Sequence, residues 1–300
     1  MTDLTGFESA ACKKGIARGR KVGVLAAALG ALLLAACGSS NDPEAALSQD
    51  ASAPAPEDAL AGAPDAEGTA APAPESTAGA GRSVEVSNDL YEFAFSYPDA
   101  AGGIAPLKAH LDDRLDRARA ELVSSAEEDR ASAKKEGFPY HAHSYSAAWK
   151  VVTDLPVWLS LSAELYGYTG GAHGMSNFDS LLWDRSTEST RQPLDLFTSP
   201  AALSSALRQR FCKALDAERV KRRGAPTKPD DIFSECIDPV EQTVLLGSSN
   251  GKTFDRIGFE IAPYSAGPYA EGSYEVTLPV DGGVMRALKP QYRTSFSPGS

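Results

Sequence analysis

Cysteine is scarce in this sequence, with residues 12, 37, 212 and 236 the only four in 300. No two of them form a C-x-x-C pair, which argues against a dithiol redox centre. Histidine is equally sparse, at 110, 141, 143 and 173, and none sits in the H-E-x-x-H spacing of a helix-borne metalloprotease. The apolar run from Val22 to Ala36 is too short to span a membrane comfortably. Basic charge is in deficit as well. A formal net charge of -11 leaves no electrostatic footprint for nucleic acid, and no nucleic-acid partner is expected. Between residues 38 and 81 there is no Lys, no Arg and no aromatic residue, so that segment cannot bury enough apolar area to offset the entropy of ordering it.

The N-terminus supplies a different kind of information. Lys13, Lys14, Arg18, Arg20 and Lys21 precede the apolar stretch, and Leu34-Ala35-Ala36-Cys37 closes it, the layout of an export signal. The tetrapeptide resembles the bacterial lipobox, whose cysteine is acylated. Residues 1–36 are therefore expected to be a signal peptide and Cys37 a lipidated residue, since several acyl chains anchor firmly where one does not. Gly38 follows in place of Asp, resembling the pattern sent on to the outer membrane, facing the periplasm. Residues 37–82 read as an acidic, Ala/Pro-rich tether, self-repelling and extended. Residues 1–36 carry +3 and residues 38–81 carry -8, which leaves -6 for the remainder.

The folded part, residues 83–300, opens with Val84 and Val86 and then the alternating strand Tyr91, Phe93, Phe95, Tyr97, which Pro98-Asp99 stops. Ile104, Leu107, Leu111, Leu115, Ala118 and Leu122 recur at steps of three and four, predicting a long helix with Arg114 and Arg117 on its other faces and a stop at Lys134, Lys135 and Gly137. The S-x-x-K spacing of Ser132 and Lys135 falls in so charged a stretch that it reads as solvated helix face. Val157, Leu159, Leu161, Ala163 and Leu165 alternate with polar residues as a half-buried strand, and Phe178 to Trp183 form the next one. Thr198 or Ser199 with Pro200 caps a second helix. Its buried stripe is Leu203, Leu207, Phe211 and Leu215, and its basic end, Arg219 to Arg223 before Gly224, complements the helix dipole. Cys212 and Cys236, an even pair in an exported chain, are expected to form a disulfide. A strand over Tyr274 to Val280, a short helix near Val284 to Leu288 and a loose tail complete the reading.

Several constellations carry possible chemistry. Gly247-Ser248-Ser249-Asn250-Gly251 satisfies G-x-S-x-G, but every histidine precedes it and Asn250-Gly251 is a preferred two-residue hairpin turn, with Thr253 to Ile261 as return strand. The Gly251-Lys252-Thr253 run lacks the first glycine of a phosphate loop, since Leu246 stands there. Gly170-Gly171-Ala172-His173-Gly174 joins two strands, its glycines permitting positive φ or close backbone approach. His141, His143 and His173 are weak candidates for a three-imidazole zinc site with an open position, set against surface or structural roles for each.

Tyr168-Thr169-Gly170-Gly171-Ala172-His173-Gly174, then Pro193-Leu194-Asp195-Leu196-Phe197, then Phe259-Glu260-Ile261-Ala262-Pro263-Tyr264-Ser265-Ala266-Gly267-Pro268 and Val276-Thr277-Leu278-Pro279 together resemble the RsiV/PdaC-type extracytoplasmic domain over roughly Val84 to Phe296. The resemblance implies an α+β fold, a single domain with helices packed on an antiparallel β-sheet. It also implies a domain that in one relative type senses lysozyme and in another stands before the catalytic domain of a peptidoglycan deacetylase. For this chain it implies a non-enzymatic, lipid-anchored envelope module that needs no cofactor, whose partner is a lysozyme-like muramidase or peptidoglycan. The segments carrying His173 and Pro263-Tyr264 are where a ligand is expected, with Gly170 and Gly171 shaping the loop and Tyr166, Tyr168, Tyr264 and Tyr269 as rigid amphipathic contacts. The other reading of these residues, that they fix strand ends in the core, stands beside it. A zinc-dependent envelope hydrolase and a purely structural lipoprotein are the alternative functions.

Overall fold

The structure, a computed structural model, describes residues 80–299. The signal segment, Cys37 and the tether up to residue 79 lie outside them. The alternating aromatic run becomes β2 (Tyr91–Tyr97), with Tyr91, Phe93, Phe95 and Tyr97 all buried on one face, after the edge strand β1 (Arg82–Ser87). Pro98-Asp99 ends the strand but starts a short helix, α1 (Asp99–Gly102), ahead of the long α2 (Ala105–Glu136). α2 buries Leu107, Leu111, Leu115, Leu122 and Ala126 and stops at Gly137, which takes φ 79° as a left-handed cap.

The chain then returns as β3 (His143–Asp154), β4 (Trp158–Tyr168), β5 (Met175–Asp184) and β6 (Ser189–Arg191), giving a six-stranded sheet ordered β1 to β6. The α+β class holds, with one refinement. β2 and β3 pair in parallel, Tyr91 opposite His143, while the other four joints are antiparallel. The reason is the helix itself: a connection of this length crosses the sheet and re-enters in the same direction.

A second sheet, β7 (Thr243–Gly247), β8 (Arg256–Ile261) and β9 (Tyr274–Pro279), is wholly antiparallel. Together with α3 (Pro200–Arg223) it covers the opposite face of the first sheet's far half. α3 begins at Ser199, whose hydroxyl accepts from Ala202 N. So β4 and β5 are buried on both faces. Leu159, Leu161, Ala163, Leu181 and Trp183 join the α2 core, while Trp158 and Leu182 join a core built from Leu203, Leu207, Phe211, Leu246, Phe259 and Ile261. Val157 falls just outside β4 and is 44% exposed, not on the buried face expected for it.

Three further expectations change. The loop between β7 and β8 spans residues 248–255, wider than a two-residue turn. Asp255 accepts from Ser249 N and Oγ, Asn250 Oδ1 accepts from Lys252 N and Thr253 N, and Phe254 is drawn fully into the core; burying that ring outweighs the tight turn. The tail is not loose: α4 (Gly282–Ala287) leads to a 3-10 helix, Pro290–Ser295, and Phe296 packs at 5.2 Å from Phe254. Arg219, counted with the basic end of α3, is completely buried, whereas Lys221 and Arg222 stay exposed and Arg223 is half-buried. The disulfide Cys212–Cys236 is formed and ties α3 to the segment that follows it.

Candidate functional site

The two motif segments meet. The loop between β4 and β5, residues 169–174, stands beside the segment between β8 and β9, so residues about 90 apart in sequence form one cluster. The His173 imidazole stacks on the Tyr269 ring with centroids 3.8 Å apart and lies 6.2 Å from that of Tyr264. His173 Nδ1 is 2.9 Å from the Gly174 carbonyl. A carbonyl only accepts, so Nδ1 carries the proton, and in the neutral ring Nε2 is left to accept from the Tyr264 hydroxyl at 3.3 Å. Tyr269 Oη–H also donates to the Gly174 carbonyl, at 3.0 Å.

Local backbone chemistry sets these rings. Gly170 takes φ 89°, and a Cβ on Gly174 would lie 2.2 Å from the Tyr166 ring, so the first is a conformational requirement and the second a close approach. Gly171 shows neither, and its expected constraint is absent. Tyr264 holds φ 69°, a left-handed backbone that costs a bulky residue about 1 kcal/mol or more. Pro263, one residue before, is buried.

The segment is gripped from α3. Arg219 Nε donates to the Ala266 carbonyl at 3.0 Å, Arg223 forms a fork on Glu271, and the Arg222 guanidinium lies 3.8 Å over the Tyr274 ring while donating to the Glu271 carbonyl. Tyr274 Oη–H donates to the same Glu271 carboxylate. The Arg223 fork holds Glu271 below the usual carboxylate range although burial opposes it.

In front of the rings lies a depression of about 550 Å³ lined by Glu92, His141, Ser144, Tyr166, Tyr168 and His173. It abuts a trough of about 580 Å³ over the outer face of β1 to β4, walled by Glu85 and Glu92 and floored by Ala94, Ser144 and Ser146. Tyr166 and Tyr264 are 37% and 46% exposed, and Met175, paired across the strands with Gly167, is 41% exposed. The ligand candidates Tyr166, Tyr168, His173, Tyr264 and Tyr269 therefore share one surface. Glu92 and Ser144 were missed as site residues; their only signal is that they alternate with buried neighbours on β2 and β3.

The three-imidazole site is not assembled. His141 and His173 share the depression, but His143 is 1% exposed, with its Nε2 3.2 Å from Asp129 and its ring stacked on Tyr140. Its side chain turns inward because it opens β3 on the core-facing register. Among the described residues no group of three or more His, Cys, Asp or Glu is placed to hold a metal ion. Ser249, the residue of the hydrolase-like motif, hydrogen-bonds Asp255 with no histidine. What the cluster offers chemically is aromatic faces, one imidazole and hydroxyls on an open surface.

Residues 84–176 match the family described as deacetylase PdaC, which bears out the resemblance over that stretch. The match takes in His173 and stops well before Tyr264. No curated protein matches the chain. Among solved structures, a DUF3298 family protein from Pseudomonas aeruginosa PAO1 aligns with a TM-score of 0.46 and 17% identity over 73% of this chain and 97% of its own. A member of the same family from Bacteroides fragilis NCTC 9343 aligns at 0.45, with 17% identity over 73% and 93%.

Proposed function

We propose that this chain, whose residues 84–176 match the PdaC family, is a lipid-anchored module of the cell envelope that binds a protein or glycan without transforming it. Cys37 is its anchor, in the outer membrane facing the periplasm, and the acidic tether gives it reach. The observation that carries this reading is the His173, Tyr264 and Tyr269 cluster. It is held in a strained, pre-set geometry at the surface, where rigid aromatics are the residues that anchor binding partners.

The exposed carboxylates Glu85 and Glu92 beside the cluster suit a basic protein such as a lysozyme-like muramidase. The aromatic faces with serine and tyrosine hydroxyls suit a peptidoglycan glycan. The test is calorimetric titration of the full-length, oxidised protein with a c-type lysozyme and with soluble peptidoglycan fragments, at two salt concentrations. The expected result is saturable binding to one of them, lost or reduced about tenfold or more in Tyr264→Ala and His173→Ala. Salt is expected to weaken it if the protein is the ligand. Absence of heat with both ligands, or binding unchanged in two correctly folded variants, overturns the reading.

A further inference from the structure

We propose that this chain binds a second copy of itself head to tail, the loop tip at Ile232 of one copy seating in a cavity beside Val157 and Tyr292 of the next. The contact uses neither His173 nor Tyr264 and does not depend on the ligand-binding reading above.

The tip belongs to the segment between α3 and Cys236. Ile232 is 83% exposed, the most exposed large hydrophobic residue among those described. A lone exposed isoleucine needs no explanation, but this one stands on a built turn. Asp231 N donates to the Lys228 carbonyl at 3.0 Å and Ser234 N to the Asp231 carbonyl at 3.1 Å. The Asp231 carboxylate accepts from Lys228 N, and the Ser234 hydroxyl donates to the Pro229 carbonyl. Phe233 takes φ 64°, a left-handed backbone that a bulky residue adopts only at a cost. The Cys212–Cys236 bond closes the loop, and the buried Arg219 donates to the Glu235 carbonyl from behind. Strain and cross-linking here hold an aliphatic side chain out in water, a pre-set geometry that lowers the entropic cost of docking it.

The cavity, of about 520 Å³, lies at the end of the first sheet where Trp158 pairs with Asp184. Gly167 and Met175, beside the aromatic cluster, pair at the other end of the same two strands. Leu155, Val157, Trp158 and Tyr292 give the cavity an apolar floor. Its buried polar groups are already satisfied: Trp158 Nε1–H donates to Ser295 Oγ at 2.9 Å, and the Asp184 carboxylate accepts from Ser186, Thr187 and Arg191. The walls are therefore set, and the surface left to cover is apolar, with Val157 44% exposed. An aliphatic tip covers it at no cost in stranded hydrogen bonds.

Charge selects this chain as the occupant. Asp230 and Asp231 precede Ile232 and are exposed, with Lys228 the one base of the tip. Arg191 and Lys252 line the cavity against a single acid, Asp184, which Arg191 pairs. The exposed Lys252 is thus left to face the acidic shoulder of an incoming tip. Of the charged residues next to lining residues in sequence, the exposed Glu188 and Arg293 offset one another, and Arg185 is paired with Asp154. Tip and cavity are different surfaces carried by every copy, so the contact is heterologous and propagates head to tail.

The test is photo-crosslinking of the full-length protein in bacterial cells that produce it, with Gln291→p-benzoylphenylalanine at the exposed rim of the cavity. The expected product has twice the mass of the chain, and peptide mass spectrometry maps its junction to residues 228–234 of a second copy. Its yield should fall about tenfold in Ile232→Ser and about threefold in Lys252→Glu. The charge-swapped pair Lys252→Glu/Asp230→Lys should restore the yield, and Tyr264→Ala should leave it unchanged. Ile232, Asp230 and Lys252 are all exposed, so these variants keep the fold, which circular dichroism of each checks. Absence of a double-mass product overturns the proposal, as does a junction to another protein or to another face of this chain. A yield indifferent to Ile232→Ser, or not restored by the charge swap, overturns it as well.

Discussion

Arg219 and Ala266 are joined by a 3.0 Å hydrogen bond from a wholly buried guanidinium near the end of α3 to a carbonyl two residues past Tyr264. The same arginine donates to the Glu235 carbonyl and pairs with Asp216. One side chain thus fastens three segments: its own helix, the residues beside the disulfide, and the segment that presents Tyr264. A strained tyrosine at the surface is held by a cation in the interior.

Replacing Arg219 by Ala strands the buried Ala266 carbonyl, releases that of Glu235 and opens a cavity, which together cost about 3 kcal/mol. Arg219→Lys keeps the charge but loses the fork and recovers only part of this. Urea denaturation monitored by circular dichroism measures the loss. Ligand binding at Tyr264 is expected to fall in both variants, since the segment that carries it is released.

The bond between Cys212 and Cys236 closes a loop with a sequence separation of 24, and opening it is expected to cost about 3 kcal/mol by the chain-entropy estimate. Comparing denaturation midpoints with and without reductant, alongside Cys236→Ser, checks this. The double substitution Cys212→Ser/Cys236→Ser should match the reduced protein.

Two neighbouring glycines should behave differently. Gly174→Ala drives a methyl group into the Tyr166 ring. Because Tyr166 is 37% exposed it swings outward, costing about 1 kcal/mol and weakening ligand binding. Gly171→Ala meets nothing within 4 Å and should shift stability by less than about 0.5 kcal/mol. Thermal melts of the pair decide it.

Two carboxylates give opposite pH dependences. Burial opposes ionisation of Asp112, but hydrogen bonds from Lys108, Tyr97 and Arg82 outweigh it and hold the group at about 2, below the ordinary 3.8. Its stabilisation is present above pH 4 and is lost as the pH falls toward 2. Asp112→Asn should cost on the order of 1–2 kcal/mol at pH 7, allowing for solvent screening, and nothing near pH 2. Glu260 is raised above 4.5, by burial first and then by Glu275 and Glu164. Its protonated form is favoured in the fold, so stability falls as the pH rises through the raised value. Glu260→Gln should be more stable than the parent at pH 7 and equal to it below about pH 4. Urea titrations at stepped pH measure both.

Much of the site was legible as separate pieces. Gly170 with φ 89° and the Gly174 close approach follow from residue type, because glycine alone fits both without strain or displacement of Tyr166. Tyr166, Tyr168, His173, Tyr264 and Tyr269 could be named from motifs, yet nothing in a linear pattern says that residues 173 and 264 touch. Arg219 and His143 were misplaced for a related reason. A charged side chain in a basic run is usually solvated, and it goes inside only when distant carbonyls or a carboxylate are brought to it. Arg114 and Arg117, read as solvent-facing, line a cavity because Trp149, 32 residues or more away, packs beneath them.

By itself the sequence determined the two long helices, with the stop of the first and the cap of the second, the aromatic strand and the disulfide pairing. Each depends on periodicity, a capping side chain or an even cysteine count, which are properties of neighbours along the chain. The parallel joint between β2 and β3, the wide loop that buries Phe254, the ordered C-terminal segment and the meeting of His173 with Tyr264 were decided by tertiary structure alone. In each case a burial or hydrogen bond between residues far apart in the chain outweighed a local preference of about 1 kcal/mol.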